Sequence, residues 1–139
     1  MDYLNMNRET LLPVVKELNK LLADYNLHYQ KLRNFHWNIV GQNFFDLHTK
    51  FEGMYNDAKL KIDAIAERIL TLKFHPISRF SDYLETSSIK ESPSLISDTE
   101  MVNDILNDAS ILLKQMKTII DLANEAKDEG TIDLLGAYI

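Results

Sequence analysis

The chain of 139 residues contains no cysteine and has only four glycines and three prolines. The absence of cysteine excludes disulfides, thiolate metal ligands and cysteine nucleophiles. It is also compatible with a reducing compartment, where structural disulfides are rare. The scarcity of glycine and proline favours long helices joined by few turns.

Long apolar runs are absent as well. No stretch has the length and apolarity of a membrane span, and no charged-then-apolar leader stands at the N-terminus. With 45% apolar and 26% charged residues, the composition is that of a soluble globular protein. The sequence therefore predicts one cytoplasmic domain over residues 1–139, with no membrane partner.

Positive charge is in short supply. Fifteen lysines and arginines stand against twenty-one acidic residues, which gives a formal net charge of -6. The first ten residues hold one arginine and no lysine. Because binding to a phosphate backbone depends on basic side chains, this balance disfavours DNA as a partner and suits the handling of cations.

Two long amphipathic helices are predicted in the first half of the chain. Apolar residues recur at steps of three and four over residues 11–39, with Thr10 as N-cap and Pro13 in the first turn. A second periodic stretch follows Asn43, a good N-cap, and runs to about residue 73. The segment 41–43 is the predicted turn between them.

The second half of the chain predicts a crossover connection, a third long helix and a short last one. Residues 78–97 form the connection, with a short helical piece around residues 79–85. The third helix runs from a cap at Ser97 or Asp98 to about residue 126. After a turn at residues 128–130, Thr131 caps a last helix of residues 132–139, which is only ~12 Å long against ~40 Å for its neighbours.

We therefore expect an all-α, four-helix bundle with a short extra helix in the connection and a truncated fourth helix. Either the sequence is a shortened form, or subunit contacts cover the apolar stripes that a full fourth helix would cover.

Five residues of the first two helices have the types and spacing of metal ligands. The first histidine lies six residues before the centre of the turn and the second lies six after it, so both imidazoles should sit at one height on antiparallel helices. On the second helix, two i,i+4 pairs fall within roughly 100° of one another on one face. The five residues are His36, His48, Glu52, Asp63 and Glu67.

One copy of the chain cannot close this site. His48 and Asp63 are roughly 22 Å apart along the helix, whereas a metal–ligand bond spans only ~2.0–2.2 Å. The pairs 48 and 67, and 52 and 63, share one midpoint, so a second copy packed antiparallel about a two-fold near Asp57 and Ala58 sets His48 beside the partner copy's 67 position. Such a C2 dimer would make two identical sites.

Bland alternatives exist for each residue taken alone. Carboxylates at i,i+4 are ordinary surface charge on a solvated helix. A lone histidine between Phe35 and Trp37 is typically a hydrogen-bonded core residue. The joint symmetry of all five residues is what favours the metal site.

The stretch LRNFHWNIVGQNFFDLHTKFEGMYNDAKLKIDAIAERIL, residues 32–70, resembles the signature of the Dps-type miniferritins of the ferritin superfamily. The resemblance extends into both flanks and covers nearly the whole chain. It implies a ferritin-like bundle in a dodecameric shell that oxidises Fe(II), with hydrogen peroxide or dioxygen, and stores ferric mineral. The resemblance assigns His36, His48 and Glu52 from one subunit and Asp63 and Glu67 from its two-fold partner to the inter-subunit ferroxidase site.

The resemblance also implies further roles and shows departures. Trp37 resembles a tryptophan near the family's site, where it could trap a stray oxidising equivalent, and packing is the alternative reading. Asp128, Glu129 and Asp133 match the region of the cation-entry pores, although a charged turn is the simpler and better-favoured interpretation of each residue. Glu52 stands where the family often has aspartate. Most of the last helix and the lysine-rich DNA-binding tail of some relatives are missing.

The ligand types suit a di-iron or mono-iron site, with Zn or Mn as substitutes. One alternative is a DNA-coating structural protein with secondary iron chemistry, which a gel-shift assay at low salt would detect. Another is an in-chain di-iron oxygenase, a class that uses Glu-x-x-His pairs in the bundle core, and the sequence contains no such pair.

Overall fold

The computed structural model describes residues 3–139, so two of the ten N-terminal residues that lack lysine lie outside the described residues. The fold is all-α, as predicted, with the short extra helix in the long connection. No helix of the described part combines the length and apolarity needed to cross a membrane. The elements are α1 (Arg8–Asn38), α2 (Phe44–Thr71), α3 (Phe80–Thr86), α4 (Asp98–Glu125) and α5 (Glu129–Gly136).

Helix α1 is the most buried element and forms the centre of the molecule. It packs against α2, α3 and α4, while α5 packs against α4. Its inner stripe follows the three- and four-residue steps that the sequence shows. The fully buried large side chains of α1 are Leu18, Leu21, Leu22, Leu32 and Phe35.

The start of α1 differs from the prediction. Asn7, not Thr10, is the N-cap, because the Asn7 side chain accepts a hydrogen bond from the Glu9 amide at 2.8 Å. Thr10 lies in the first turn and donates its hydroxyl to the Asn7 carbonyl at 2.9 Å. The earlier start places Pro13 in the second turn, where its missing N–H leaves the Glu9 carbonyl without the usual helix bond.

The starts of α2 and α4 lie side by side. Asn43 precedes α2 as predicted, but its side chain does not cap that helix and instead donates to Asp98 at 2.7 Å. Ser97 caps α4 in a complete capping box with Glu100, which confirms the predicted helix start. The crossover connection therefore begins α4 at the same end of the bundle as α2, as its length predicted.

A buried carboxylate holds the connection against α1. Asp24 is fully buried and accepts hydrogen bonds from the amides of Ser88 and Ile89, each at 2.7 Å. The Gln115 side chain of α4 donates to the same carboxylate. One α1 residue thereby satisfies backbone groups that have no helix or strand to pair with.

The last turn is built around Asp128. Asp128, not Thr131, is the N-cap of α5, since its carboxylate accepts from the Thr131 amide at 3.1 Å. Arg68 of α2 donates to the same carboxylate at 2.5 Å and to the Thr131 hydroxyl at 3.0 Å. A Cβ at Gly130 would lie 2.5 Å from the Arg68 guanidinium, so a larger residue there would displace the Arg68 side chain from its present position.

Helix α5 is as short as the sequence predicts, and a groove remains open beside it. The groove runs between α1, α2 and α4 and reaches the residues that follow α5. Its lining includes Tyr25, Gly53, Met54, Leu112, Met116 and Tyr138.

Candidate metal centre

The turn between α1 and α2 brings two histidines face to face. Gly41 adopts φ 103°, a left-handed conformation that favours glycine, and reverses the chain between the two helices. His36 in the last turns of α1 and His48 in α2 then stack, with ring centroids 3.7 Å apart and planes 17° apart. The prediction that both imidazoles lie at one height is confirmed.

Two reciprocal hydrogen bonds lock this pair. The Nδ1 of His36 lies 2.7 Å from the carbonyl oxygen of His48, and the Nδ1 of His48 lies 2.7 Å from the carbonyl oxygen of His36. Since a carbonyl only accepts, each Nδ1 must carry the proton and donate it. In the neutral rings, each Nε2 therefore keeps a lone pair, which is the form that binds a metal ion.

Aromatic rings clamp the pair from both sides. Phe44 stacks on His48 with centroids 4.9 Å apart, and Tyr55 meets the edge of His36 with centroids 5.3 Å apart. Sequence reasoning did not select these two residues for the site. The signal was present in the spacing, because Phe44 lies one turn before His48 and Tyr55 lies two turns after it on the same helix face.

The three carboxylates lie on the open side of α2. Glu52, Asp63 and Glu67 are all exposed, and no hydrogen bond or ion pair within residues 3–139 engages their carboxylates. The distance along the helix separates Asp63 from the histidine pair by roughly 22 Å. Accordingly, the described residues of one chain contain no group of three or more His, Asp or Glu that could hold a metal ion.

The bundle core contains a polar cluster, but a protein cation already fills it. Lys31 is buried and its ammonium lies 2.9 Å from Asp108 and 3.1 Å from Asp104. His28 approaches Asp108 at 3.4 Å from the other side. The ammonium balances the buried Asp108 carboxylate and the half-buried Asp104 carboxylate as a metal would, so this cluster is a structural network between α1 and α4.

Trp37 follows His36 in the sequence, but within the described residues its ring does not contact either histidine ring. Its ring is 56% exposed and lies 4.8 Å from the Cζ of Arg33. Arg33 also lies 5.2 Å from the Tyr29 ring. The predicted role of Trp37 as a trap remains a prediction, and the rings that contact the candidate ligands are Phe44 and Tyr55.

The three pore candidates separate into two kinds. Asp128 is fully buried, and its carboxylate is engaged by Arg68 and Thr131, so within the protomer it acts as a structural cap. Glu129 and Asp133 are exposed on α5. A pore role stays a prediction for all three residues, and within one protomer Asp128 has a structural role.

The donor set fits iron at both oxidation levels. Imidazole nitrogen suits Fe(II), Zn and Mn, and carboxylate oxygen favours the harder Fe(III). His36 of α1 and His48 of α2 supply the nitrogen donors, and Glu52 lies one turn after His48 on α2. Asp63 and Glu67 lie near the other end of α2. One copy of the chain therefore does not bring the five predicted ligands together.

Comparisons with known proteins agree with the predicted family. The ferritin-like domain family matches residues 15–139. A DNA protection during starvation protein of Porphyromonas gingivalis is 39% identical over 139 residues, which is all of this chain and 87% of the relative. A protein of the same name from Brevibacillus brevis is 45% identical over 86% of this chain and 80% of its own length.

The structural comparison reaches the same family. The crystal structure of the Dps protein from Vibrio cholerae O1, described as a member of the ferritin-like diiron-carboxylate proteins, superposes with a TM-score of 0.96. It is 42% identical and covers 100% of this chain and 87% of that one. With the same helix order, the same extra helix and the same sequence signature, the chain belongs to the Dps-type miniferritins of the ferritin superfamily.

Proposed function

We propose that the protein is a ferroxidase that oxidises Fe(II) at sites shared by two copies and sequesters the ferric product. In each site, one copy provides His36, His48 and Glu52. The other copy provides Asp63 and Glu67. The single observation that carries this proposal is the reciprocal lock, which holds both imidazoles with Nε2 available in a chain whose Asp63 and Glu67 lie too far along α2 to join them.

The chemistry follows from the ligand types. Fe(II) is the substrate, and the imidazoles bind it without adding charge. The carboxylates gain importance as the iron loses an electron, because they stabilise the higher charge of Fe(III). Hydrogen peroxide is the proposed oxidant, with dioxygen as the alternative, since two Fe(II) ions together supply the two electrons that peroxide needs. Zn and Mn would occupy the same donors without this chemistry.

Self-association follows from the split site. A C2 dimer about the midpoint of α2 gives two sites, and we propose that six such dimers form a dodecameric shell that holds the mineral. The relatives support iron as the metal, because the solved Vibrio cholerae protein is described as a Dps protein of the ferritin-like diiron-carboxylate superfamily. The exposed carboxylates of Glu129 and Asp133 would then attract Fe(II) at the entry pores. Cytoplasmic peroxide defence is the proposed biological role.

Complementation between two inactive variants tests the shared site. His48→Ala removes a ligand from one half and Glu67→Ala removes a ligand from the other. In a mixed dimer, one site carries both defects and the other carries neither. Random co-assembly should therefore restore about a quarter of the parent's oxidation rate, because half of the dimers are mixed and each has one intact site of two.

The control is the His48→Ala and Glu67→Ala double variant, which should gain nothing from mixing with either single variant alone. Mixed assemblies as inactive as the separate variants would rule out the shared site. Sedimentation of the parent, with and without iron, checks the assembly, and a monomer that oxidises iron at the parent rate would contradict the proposal.

A further inference from the structure

Arg33 is a cation that has no acidic partner in its own copy of the chain. Its guanidinium carbon lies 5.2 Å from the Tyr29 ring and 4.8 Å from the Trp37 ring, one turn to either side along α1. Its Nη1 donates to the Gln30 side chain at 3.2 Å. No ion pair joins Arg33 to an acid within residues 3–139. The two rings therefore hold the charge in place without neutralising it.

The packing of α1 on α2 gives the height of Arg33 in the bundle. Tyr29 contacts Tyr55 with ring centroids 6.0 Å apart, and His36 stacks on His48. Because the two helices run antiparallel, each step along α1 matches a step back along α2, and Arg33 lies level with position 51. The next position of α2 is Glu52, so Arg33 and this proposed ligand lie within about 1.5 Å of one level.

The proposed two-fold brings an acid of the other copy to the same level. The axis passes midway between positions 57 and 58 of α2, so position 51 faces position 64 of the partner and position 52 faces position 63. The partner's Asp63 therefore lies within about 1.5 Å of the level of Arg33. Asp63 is exposed, and no cation within residues 3–139 pairs with it. An unpaired guanidinium and an unpaired carboxylate would thus face each other across the dimer.

The charge of the shared site also calls for a cation at this place. Each site gathers three carboxylates, those of Glu52 and of the partner's Asp63 and Glu67, beside two neutral imidazoles. Before iron arrives, repulsion between these carboxylates opposes the association of two copies. A guanidinium held by two rings offsets this repulsion with little further loss of side-chain freedom, and it can bind a carboxylate through two parallel N–H bonds.

We propose that Arg33 is a positioning residue that pairs with the partner's Asp63 and holds the two halves of the site together in the metal-free protein. The inference rests on the proposed shared site and names a contact that assembles it. Arg33 binds no iron itself. It acts through the partner's Asp63, whose carboxylate it keeps level with Glu52.

Self-association of the full chain without metal tests the pair. Sedimentation in EDTA over a dilution series should show that Arg33→Gln weakens the dimer roughly 100-fold, since a two-fold dimer contains two such pairs and each accounts for about tenfold. Arg33→Lys keeps the charge and should recover part of the loss. High salt should weaken the parent dimer more than the Arg33→Gln dimer. Circular dichroism should show the same helix content in all three proteins.

Lys117→Gln is the matched control. It also removes one positive charge, from an exposed position on α4, which carries none of the proposed ligands, so it should leave the association unchanged.

Exchange of the two charges gives the sharper test. Arg33→Asp and Asp63→Arg should each dissociate the dimer, and a chain that carries both substitutions should associate again. Within one copy the two positions are roughly 18 Å apart along the bundle, so a contact between copies is needed for this rescue. The measurement requires no iron, and the loss of Asp63 as a ligand therefore does not affect it.

Two results would overturn the inference. One is an Arg33→Gln protein that associates as tightly as Lys117→Gln, and the other is a charge-exchanged chain as dissociated as its two single variants. A parent that stays monomeric and forms no ferric product from Fe(II) would instead contradict the proposed ferroxidase function, so the two failures are distinguishable.

Discussion

The two ends of α2 differ in how much of the site the chain itself builds. At the first end, His48 is fixed by a backbone carbonyl, by the His36 ring and by the Phe44 ring. At the other end, an ion pair between Arg68 of α2 and the buried Asp128 holds the helix in place. The ligand carboxylates at that end face outward and are exposed.

The difference shows that the histidine half of the site is preorganised, whereas the carboxylate half still lacks a contact that would fix its side chains. The histidine half is held in one tautomer and one orientation before any metal arrives, which reduces the cost of ordering ligands on binding. The carboxylate half has a fixed helix but free side chains, so its geometry depends on what packs against it. A second copy of the chain supplies that contact in our proposal.

Loss of the ion pair between Arg68 and Asp128, which supports the carboxylate half, should have the largest effect on stability. Arg68→Met leaves the fully buried Asp128 carboxylate without its cation. Breaking a buried pair from one side should lower the free energy of unfolding by about 3 kcal/mol. Chemical denaturation at fixed protein concentration measures it. Adding Asp128→Asn should recover part of the loss, whereas Arg79→Met, at an exposed pair with Asp82, should change nothing measurable.

Removal of one ligand from either half should slow Fe(II) oxidation to a similar extent, but the two removals should change the thermal midpoint by different amounts. His48→Ala and Glu67→Ala should each slow Fe(II) oxidation at least ~100-fold, which is the upper range for losing even an indirect metal contact. His48→Ala should also lower the thermal midpoint, because two ring contacts disappear. Glu67→Ala should not, since its carboxylate is exposed. Stopped-flow oxidation and circular dichroism provide the readouts, and equal thermal losses would contradict the comparison.

The aromatic clamp should have a smaller effect, confined to the histidine half. Phe44→Leu removes the ring that stacks on His48 and should weaken metal binding by about tenfold, or ~1.4 kcal/mol, as loss of a supporting contact does. Phe45→Leu is the matched control, because the neighbouring ring is 81% exposed. Titration with Zn(II) or Co(II) followed by calorimetry measures the affinity. Equal weakening by both variants would show that the stacking is not responsible.

Acid should weaken the start of α4 by the smallest amount. The Asn43 side chain lowers the pKa of Asp98, and the Ser97 amide lowers the pKa of Glu100. Because the folded pKa lies below the unfolded value, this stabilisation is present at neutral pH and is lost as the pH falls through the lowered pKa. Asp98→Asn with Glu100→Gln should flatten the acid side of the thermal-midpoint curve, and an unchanged slope would disprove the link.

Much of the fold could be predicted because helix periodicity is a local property. The helices, the Gly41 turn, the Ser97 cap and the short helix in the connection all follow from spacing within a few residues. The caps at Thr10 and Thr131 were wrong, since Asn7 and Asp128 offered competing side chains a few residues earlier. Sequence alone did not rank these neighbouring caps, because the choice depends on tertiary contacts such as that of Arg68.

The candidate site was predictable to the same local extent. The spacing of the histidines about the turn predicted one height, and their stacking confirms it. The hydrogen bonds to carbonyls, the Tyr55 contact and the burial of Asp128 could not be predicted, because each joins residues on different helices. The assignment of all five ligands to one shared site stays a prediction.

The sequence by itself determined the helical periods, the negative net charge and a set of ligands spread too far along one helix to bind one metal ion. All three follow from the types and spacing of residues along the chain. The tertiary structure alone decided which imidazole nitrogen is free, which ring touches His36 and which acid is buried. Those outcomes depend on how α1, α2 and α5 approach one another, and the packing of side chains between helices sets that approach.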